Sequence, residues 1–240
     1  MRICLTFRAA EGLNLPMAHQ YALQGLIYRI LGEHPAYSDF LHDRGFASDG
    51  YAFRFFVFGS LRGEYRVENK RIFFPDTVKW ELRSPDAAFL QTFLTACPAG
   101  KELALEGQKL TAEEVRLMNS PVIRDGDTVF VNRMTERVTD ETGHSVYYSP
   151  EDREFFDLAA ANAEKKWHSM HADEPLRFSA ERVPGEEYRR TVTTFKGTYV
   201  TAWSGKIRLH GDPAALAFLY DTGLGSRNSQ GFGLFEPSRI

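Results

Sequence analysis

Twice along its length the chain passes through the same succession of hydrophobic periods, and that repetition limits the folds open to it. Met1 to Phe7 alternates apolar and polar residues, the period of a half-buried strand. From Ala18 to Leu31 the apolar positions shift to Ala22, Leu23, Leu26, Ile27, Ile30 and Leu31, the spacing of an amphipathic helix. Gly32 follows, where helix C-termini favour glycine. A short helical turn is expected from about Ala36 to His42, and aromatic-rich Tyr51 to Phe58 reads as a strand. Arg71–Phe74 and Thr77–Leu82 suggest two more strands, Pro85–Thr95 a helix, and Leu103–Leu105 a closing strand. Strand, helix, strand, strand, helix, strand is the order of a ferredoxin-like unit.

Past this point the pattern turns charged and irregular, from Thr111 to Ser120, and Ser120-Pro121 reads as a junction. A second pass then begins. A strand is expected at Thr128–Asn132 and a helix from Ser149-Pro150-Glu151-Asp152 to His171. Strands follow at Leu176–Val183, Arg190–Thr194 and Tyr199–His210, a helix at Asp212–Tyr220 and a last strand at Phe232–Phe235. The expected class is α+β with two tandem ferredoxin-like, RNA-recognition-type domains, residues 1–118 and 119–240.

Composition narrows the functions. A net charge of −3 disfavours a protein that coats nucleic acid along its whole surface. Between Arg177 and Gly233, however, eight basic residues face five acidic ones, leaving room for a local basic groove. Neither the apolar run of a signal peptide nor that of a membrane span is present, so a cytoplasmic protein is expected. Cys4 and Cys97 have no metal-ligand spacing and read as buried free thiols.

The most specific local feature lies near the C-terminus, in Gly223-Leu224-Gly225-Ser226-Arg227-Asn228-Ser229-Gln230-Gly231-Phe232-Gly233. Four glycines bracket a polar run between a helix and a strand. Glycine allows close backbone approach, so successive N–H groups could aim at one anion. Arg227 would add a positive fork, and Ser226, Asn228, Ser229 and Gln230 further donors. The loop lacks the Gly-Lys-Ser/Thr ending of a P-loop, and it leads into a strand where a dinucleotide fingerprint leads into a helix.

This loop, with Lys196-Gly197, Gly205 and Gly211 before it, resembles the C-terminal signature of the CRISPR repeat-processing endoribonucleases, the Cas-six type of the RAMP superfamily. Leu15-Pro16, His19-Gln20-Tyr21, Ile27-Tyr28-Arg29-Ile30-Leu31 and Leu41-His42-Asp43-Arg44-Gly45-Phe46 are similar to the same family's opening. The resemblance implies RNA held between the two domains, with Gly223, Gly225, Ser226, Arg227, Asn228, Ser229, Gln230, Gly231, Gly233 and Lys196 as its binding residues. The substrate it implies is a CRISPR repeat within a precursor transcript. Subunits of a CRISPR effector complex are further expected partners, and a homodimer is left open.

RNA carries its own nucleophile, the 2′-OH, so a metal-free nuclease must move protons and stabilise a crowded phosphate. Histidine suits the proton work. His42 matches the place of the family's catalytic histidine, and Tyr28 matches the tyrosine that assists it. The family's lysine has no counterpart, because Asp43 to Gly59 contains only Arg44 and Arg54; Arg54 is assigned an electrostatic role. No cofactor and no metal are expected, and the products would be a 5′-OH and a 2′,3′-cyclic phosphate. A non-catalytic RNA-binding subunit of a surveillance complex stays open as the alternative. His34 is the nearest rival to His42, and His19 is expected to cap a helix or meet solvent. His168 and His171 sit at metal-ligand spacing but read as a solvated helix end, with Asp173 or Glu174 as the only further ligands in reach. Lys165-Lys166-Trp167 is explained equally well as an RNA contact and as a surface charge pair beside one buried Trp.

Overall fold

A computed structural model describes residues 1–32, 46–48, 51–172 and 174–238. His34, His42, Arg44 and Asp173 lie outside the described residues. The first half contains β1 (Arg2–Arg8), β2 (Leu13–Pro16), α1 (Gln20–Leu31), β3 (Phe46–Ser48), β4 (Tyr51–Phe53) and β5 (Val57–Phe58). It continues with β6 (Arg66–Glu68), β7 (Arg71–Phe74), β8 (Val78–Arg83), α2 (Ala87–Ala96), β9 (Glu102–Leu105) and β10 (Gln108–Met118). The main sheet has the antiparallel order β5-β8-β1-β10-β9. Without β9 this is the ferredoxin-like order, and α1 and α2 cover the face carrying Ile3, Leu5 and Phe7. Leu23, Leu26, Ile27, Ile30 and Leu31 form the buried stripe of α1, as their spacing requires. Asp86 caps α2, its side chain accepting from the Ala88 N–H at 2.9 Å.

Two expectations change here. The closing strand against β1 is the eleven-residue β10, and the expected Leu103–Leu105 strand lies outside it as an added edge. The charged stretch Thr111–Ser120 therefore lies largely within a strand. One side of β10 is exposed, so charge there carries no loop signal. Gly32 sits in right-handed backbone (φ −63°), and its left-handed freedom goes unused.

The second half contains β11 (Thr128–Met134), β12 (Glu136–Thr139), β13 (Ser145–Tyr148), α3 (Arg153–His171), β14 (Phe178–Arg182), β15 (Arg189–Phe195), β16 (Thr198–Gly211), α4 (Pro213–Thr222) and β17 (Leu234–Pro237). Its sheet runs β14-β16-β11-β17, the same order again, with β15 also paired to β16. The fold is thus α+β with two ferredoxin-like sheets in tandem. The β12–β13 hairpin interrupts the expected element order. Helix α3 starts later than expected, at Asp152, whose carboxylate accepts from the Ser149 N–H at 2.7 Å.

Arg83, fully buried, joins the halves. It pairs with Glu81 at 2.5 Å, donates to Phe235 O at 2.7 Å and stacks 3.7 Å over the Tyr220 ring. The aromatic segment after β4 bridges the same boundary. Phe55 belongs to the second core and Phe56 and Phe58 to the first, so consecutive rings anchor in different halves. Dense aromatics here mean core.

Candidate RNA-binding and cleavage groove

The glycine-rich loop lies where the halves meet. Leu224 N–H donates to Gly233 O at 2.9 Å and closes the loop's neck. Gly233 N–H donates to Asn132 O at 3.1 Å, and Ser226 gives both its N–H and its hydroxyl to Thr135 O. From the first half, the Gln24 side chain on α1 donates to Ser229 O at 2.7 Å. The Phe58 ring lies directly under Gly231, where an added Cβ would come within 2.6 Å of it.

The glycines therefore serve close packing more than anion capture. Amides of Gly223, Leu224, Ser226, Gln230, Gly231 and Gly233 all donate to protein carbonyls, which corrects the expectation that successive N–H groups converge on one ligand. Six of the loop's eleven amides are thus spent on the protein itself. What the loop presents to the groove is chiefly its side chains.

Lys166 on α3 holds the loop from inside. Its ammonium, 2 % exposed, donates to Gly223 O at 2.6 Å and to Asn228 Oδ1 at 3.1 Å. Asn228 in turn donates to Leu224 O and Phe232 O, tying both ends of the loop to one amide. Lys166 is thus no surface charge. It shares the buried stripe of Phe155, Ala159 and Ala163, and this position within the apolar period was the signal that could have identified it. Glu136, 3 % exposed, lies beneath Gly225. Burial pushes the Glu136 carboxyl up to about 8 and the Lys166 ammonium down to about 7, each partly opposed by the other's charge.

Two cavities flank the loop and share Arg54, Arg227, Ser229 and Gln230. The smaller, about 360 Å³, is lined by Tyr28, Arg54, Lys196 and Arg227. The larger, about 690 Å³, lies between the loop and α3 and adds Arg137 and Lys165. Tyr28, Arg54, Lys196 and the loop's polar run, far apart in sequence, thus line one groove. Tyr28 is half-buried edge-on to Phe56, and burial raises its phenol while Arg54 works the other way. Lys196 and Gly197 form the two-residue turn between β15 and β16, both with positive φ, and the Lys196 ammonium lies 5.2 Å above the Tyr21 ring.

Arg137 and Arg227 bring two positive charges close together at the groove. Arg227, in left-handed backbone, donates to Gln230 at 2.9 Å, and Arg137 donates to Thr139 and Ser145. Among the described residues neither guanidinium has a carboxylate in ion-pair range. Burial, then the neighbouring Arg137, lowers Arg227. Two cations held together without an acid favour a polyanion between them.

The remaining histidines take no part. His19 is 7 % exposed and donates from Nδ1 to Pro16 O at 2.9 Å, so it neither caps through its side chain nor meets solvent as expected. Burial lowers its pKa. His171 stacks on Trp167 with centroids 3.7 Å apart, and no cluster able to hold a metal occurs among the described residues.

A family model described as CRISPR associated protein Cas6, C-terminal, matches residues 108–237. The chain is 26% identical over 235 residues to a CRISPR-associated endoribonuclease Cas6 of Pyrococcus furiosus, covering 94% of this chain and 84% of the relative. It is 23% identical to CRISPR-associated endoribonuclease Cas6 1 of Methanocaldococcus jannaschii, covering 98% and 91%. Among solved structures, one titled as a Cas6-related gene from Pyrococcus furiosus superposes with a TM-score of 0.83 at 16% identity, covering 100% and 98%. Another, titled as an RAMP protein binding different RNA substrates, gives 0.84 at 16% identity over the whole of both chains. At these identities the structural likenesses establish the fold. No helix among the described residues is long and apolar enough to cross a membrane.

Proposed function

The chain belongs to the family described as CRISPR associated protein Cas6, C-terminal, and from that premise we propose that it is an endoribonuclease that cuts CRISPR precursor RNA within its repeats. Its curated relatives are named as endoribonucleases. The observation that carries the reading is the single groove lined by Tyr28, Arg54, Lys196 and Arg227 at the meeting of the two halves.

In this reading the RNA backbone lies along the groove, its phosphates neutralised by Arg54, Arg137, Arg227 and Lys196. The 2′-OH beside the cut attacks the adjacent phosphorus and the 5′-oxygen leaves. The upstream product ends in a 2′,3′-cyclic phosphate and the downstream product begins with a 5′-OH. His42 moves the protons, Tyr28 assists by a hydrogen bond, and Arg54 stabilises the charge gathering on the phosphate. Because no step calls on a metal, cutting proceeds in a chelator. The product would pass to subunits of a CRISPR effector complex.

A single 2′-deoxy nucleotide on the 5′ side of the scissile phosphate tests the chemistry. Cutting should stop at that site while binding stays within about twofold. Continued cutting there would exclude the 2′-OH as nucleophile.

A second reading, an RNA-binding subunit without cutting activity, is favoured by one observation: no lysine occurs between Asp43 and Gly59. It predicts tight repeat binding with no turnover.

A further inference from the structure

The larger cavity holds an unusual set of orphaned polar atoms. Glu136 Oε1, Asn162 Oδ1, Thr222 Oγ1 and Arg227 Nε are all buried without a hydrogen-bond partner among the described residues, and all four residues line it. Glu136 is 3 % and Thr222 1 % exposed. Buried polar atoms are normally satisfied, because leaving one unpaired costs about 1–3 kcal/mol. Four around one cavity point to a ligand that satisfies them together.

The fold holds these four atoms in place, Arg227 being fixed by the bond from its Nη1 to Gln230. Asn162 lies one helical turn before Lys166, and Thr222 immediately precedes Gly223, whose carbonyl Lys166 holds. Glu136 is fixed under Gly225, where an added Cβ would come within 2.8 Å of its Oε1. Phe53 and Phe55, with rings nearly parallel and 5.8 Å between centroids, supply an apolar wall. A cavity of about 690 Å³ with an aromatic wall and a few buried polar atoms suits a planar heterocycle.

We propose that this cavity takes one unpaired nucleobase of the bound RNA, and that the base is guanine. The orphaned carboxyl and amide oxygens accept; guanine offers adjacent N1–H and N2–H donors on one edge. The orphaned Arg227 Nε–H donates, and guanine O6 accepts. Adenine offers one such donor group and uracil one. The subsite rests on the reading of the groove as an RNA site, and it gives the loop a second task, selecting sequence as well as neutralising phosphate.

The test scans the repeat with single abasic nucleotides, measuring binding to the full-length protein at one fixed salt concentration. One unpaired guanine position should stand out, with affinity lower on the order of 10- to 100-fold when its base is removed. Adenine or uracil there should recover little of the loss. Asn162→Ala, on a half-exposed helix position, should bind the intact repeat more weakly and become indifferent to the base at that position; Glu136→Gln gives an isosteric second case. No sensitive position in a protein that still binds intact repeat would overturn the subsite, as would a sensitive position that both variants leave unchanged. Failure of the wild-type protein to bind intact repeat would instead overturn the RNA reading beneath it.

Discussion

Gly233 and Gly197 share left-handed backbone and differ in what surrounds it. A Cβ at Gly233 would fall 1.8 Å from Leu224 O, whereas at Gly197 nothing lies within 4 Å. Gly197→Ala should therefore cost only the conformational penalty, about 1–2 kcal/mol. Gly233→Ala adds a backbone collision and should open the loop's neck. Thermal unfolding and repeat binding measured together distinguish the two: Gly233→Ala should lose both, Gly197→Ala only its about 1–2 kcal/mol of stability, with binding kept. Glu136 gives a residue-scale prediction of another kind. Unfolded, it titrates near 4.5; folded, it keeps its proton to about 8. Its contribution is present in full below about pH 4.5 and fades as pH rises to 8. Lys166 acts oppositely, but only above about 7, where the folded chain gives up a proton the unfolded chain retains. Between about pH 5 and pH 7 Glu136 lowers stability as pH rises, while buried His19, its pKa lowered, works the other way in the lower part of that window. Glu136→Gln removes the first effect alone, so urea midpoints of the variant should gain on those of the wild-type protein as pH rises from about 5 to 7.

At the scale of elements, Lys166 shows how α3 serves the loop. Lys166→Met keeps the length and apolar character the buried stripe wants, but strips a donor from Gly223 O and Asn228 Oδ1. The expected loss is about 1–3 kcal/mol of stability, with weaker RNA binding because Asn228 ties both ends of the loop. A drop in stability with unchanged binding would show that the loop holds its shape without the brace. The elements themselves were largely legible, because the 3.6-residue stripe of α1 and the alternation of β1 each report a buried face directly. Strand β10 was not, since its charged, exposed side breaks the alternation that marks a strand. In the site, the loop and Lys196-Gly197 declared themselves by glycine spacing. Gln24 and Lys166 did not: Gln24 meets Ser229 205 residues away and Lys166 meets Gly223 57 residues away, beyond the reach of local pattern.

For the whole molecule, the groove exists because the two ferredoxin-like halves meet along it. Arg83 buried against Tyr220 and Phe235, Phe55 and Phe56 anchored in opposite cores, and Gln24 bonded to Ser229 set the spacing of its walls. Neither half alone brings Tyr28 and Arg54 to Lys196 and Arg227. Net charge of −3 is compatible with this, because the cations are concentrated where the halves join. In the proposed function this junction cuts RNA with its own side chains. The most direct measurement is cleavage of the repeat RNA in excess EDTA by the wild-type protein and by His42→Ala. The wild-type protein should make one cut in each repeat, slowed about 10²- to 10⁴-fold in the variant, with binding retained. Tight binding by both proteins and cutting by neither would contradict it.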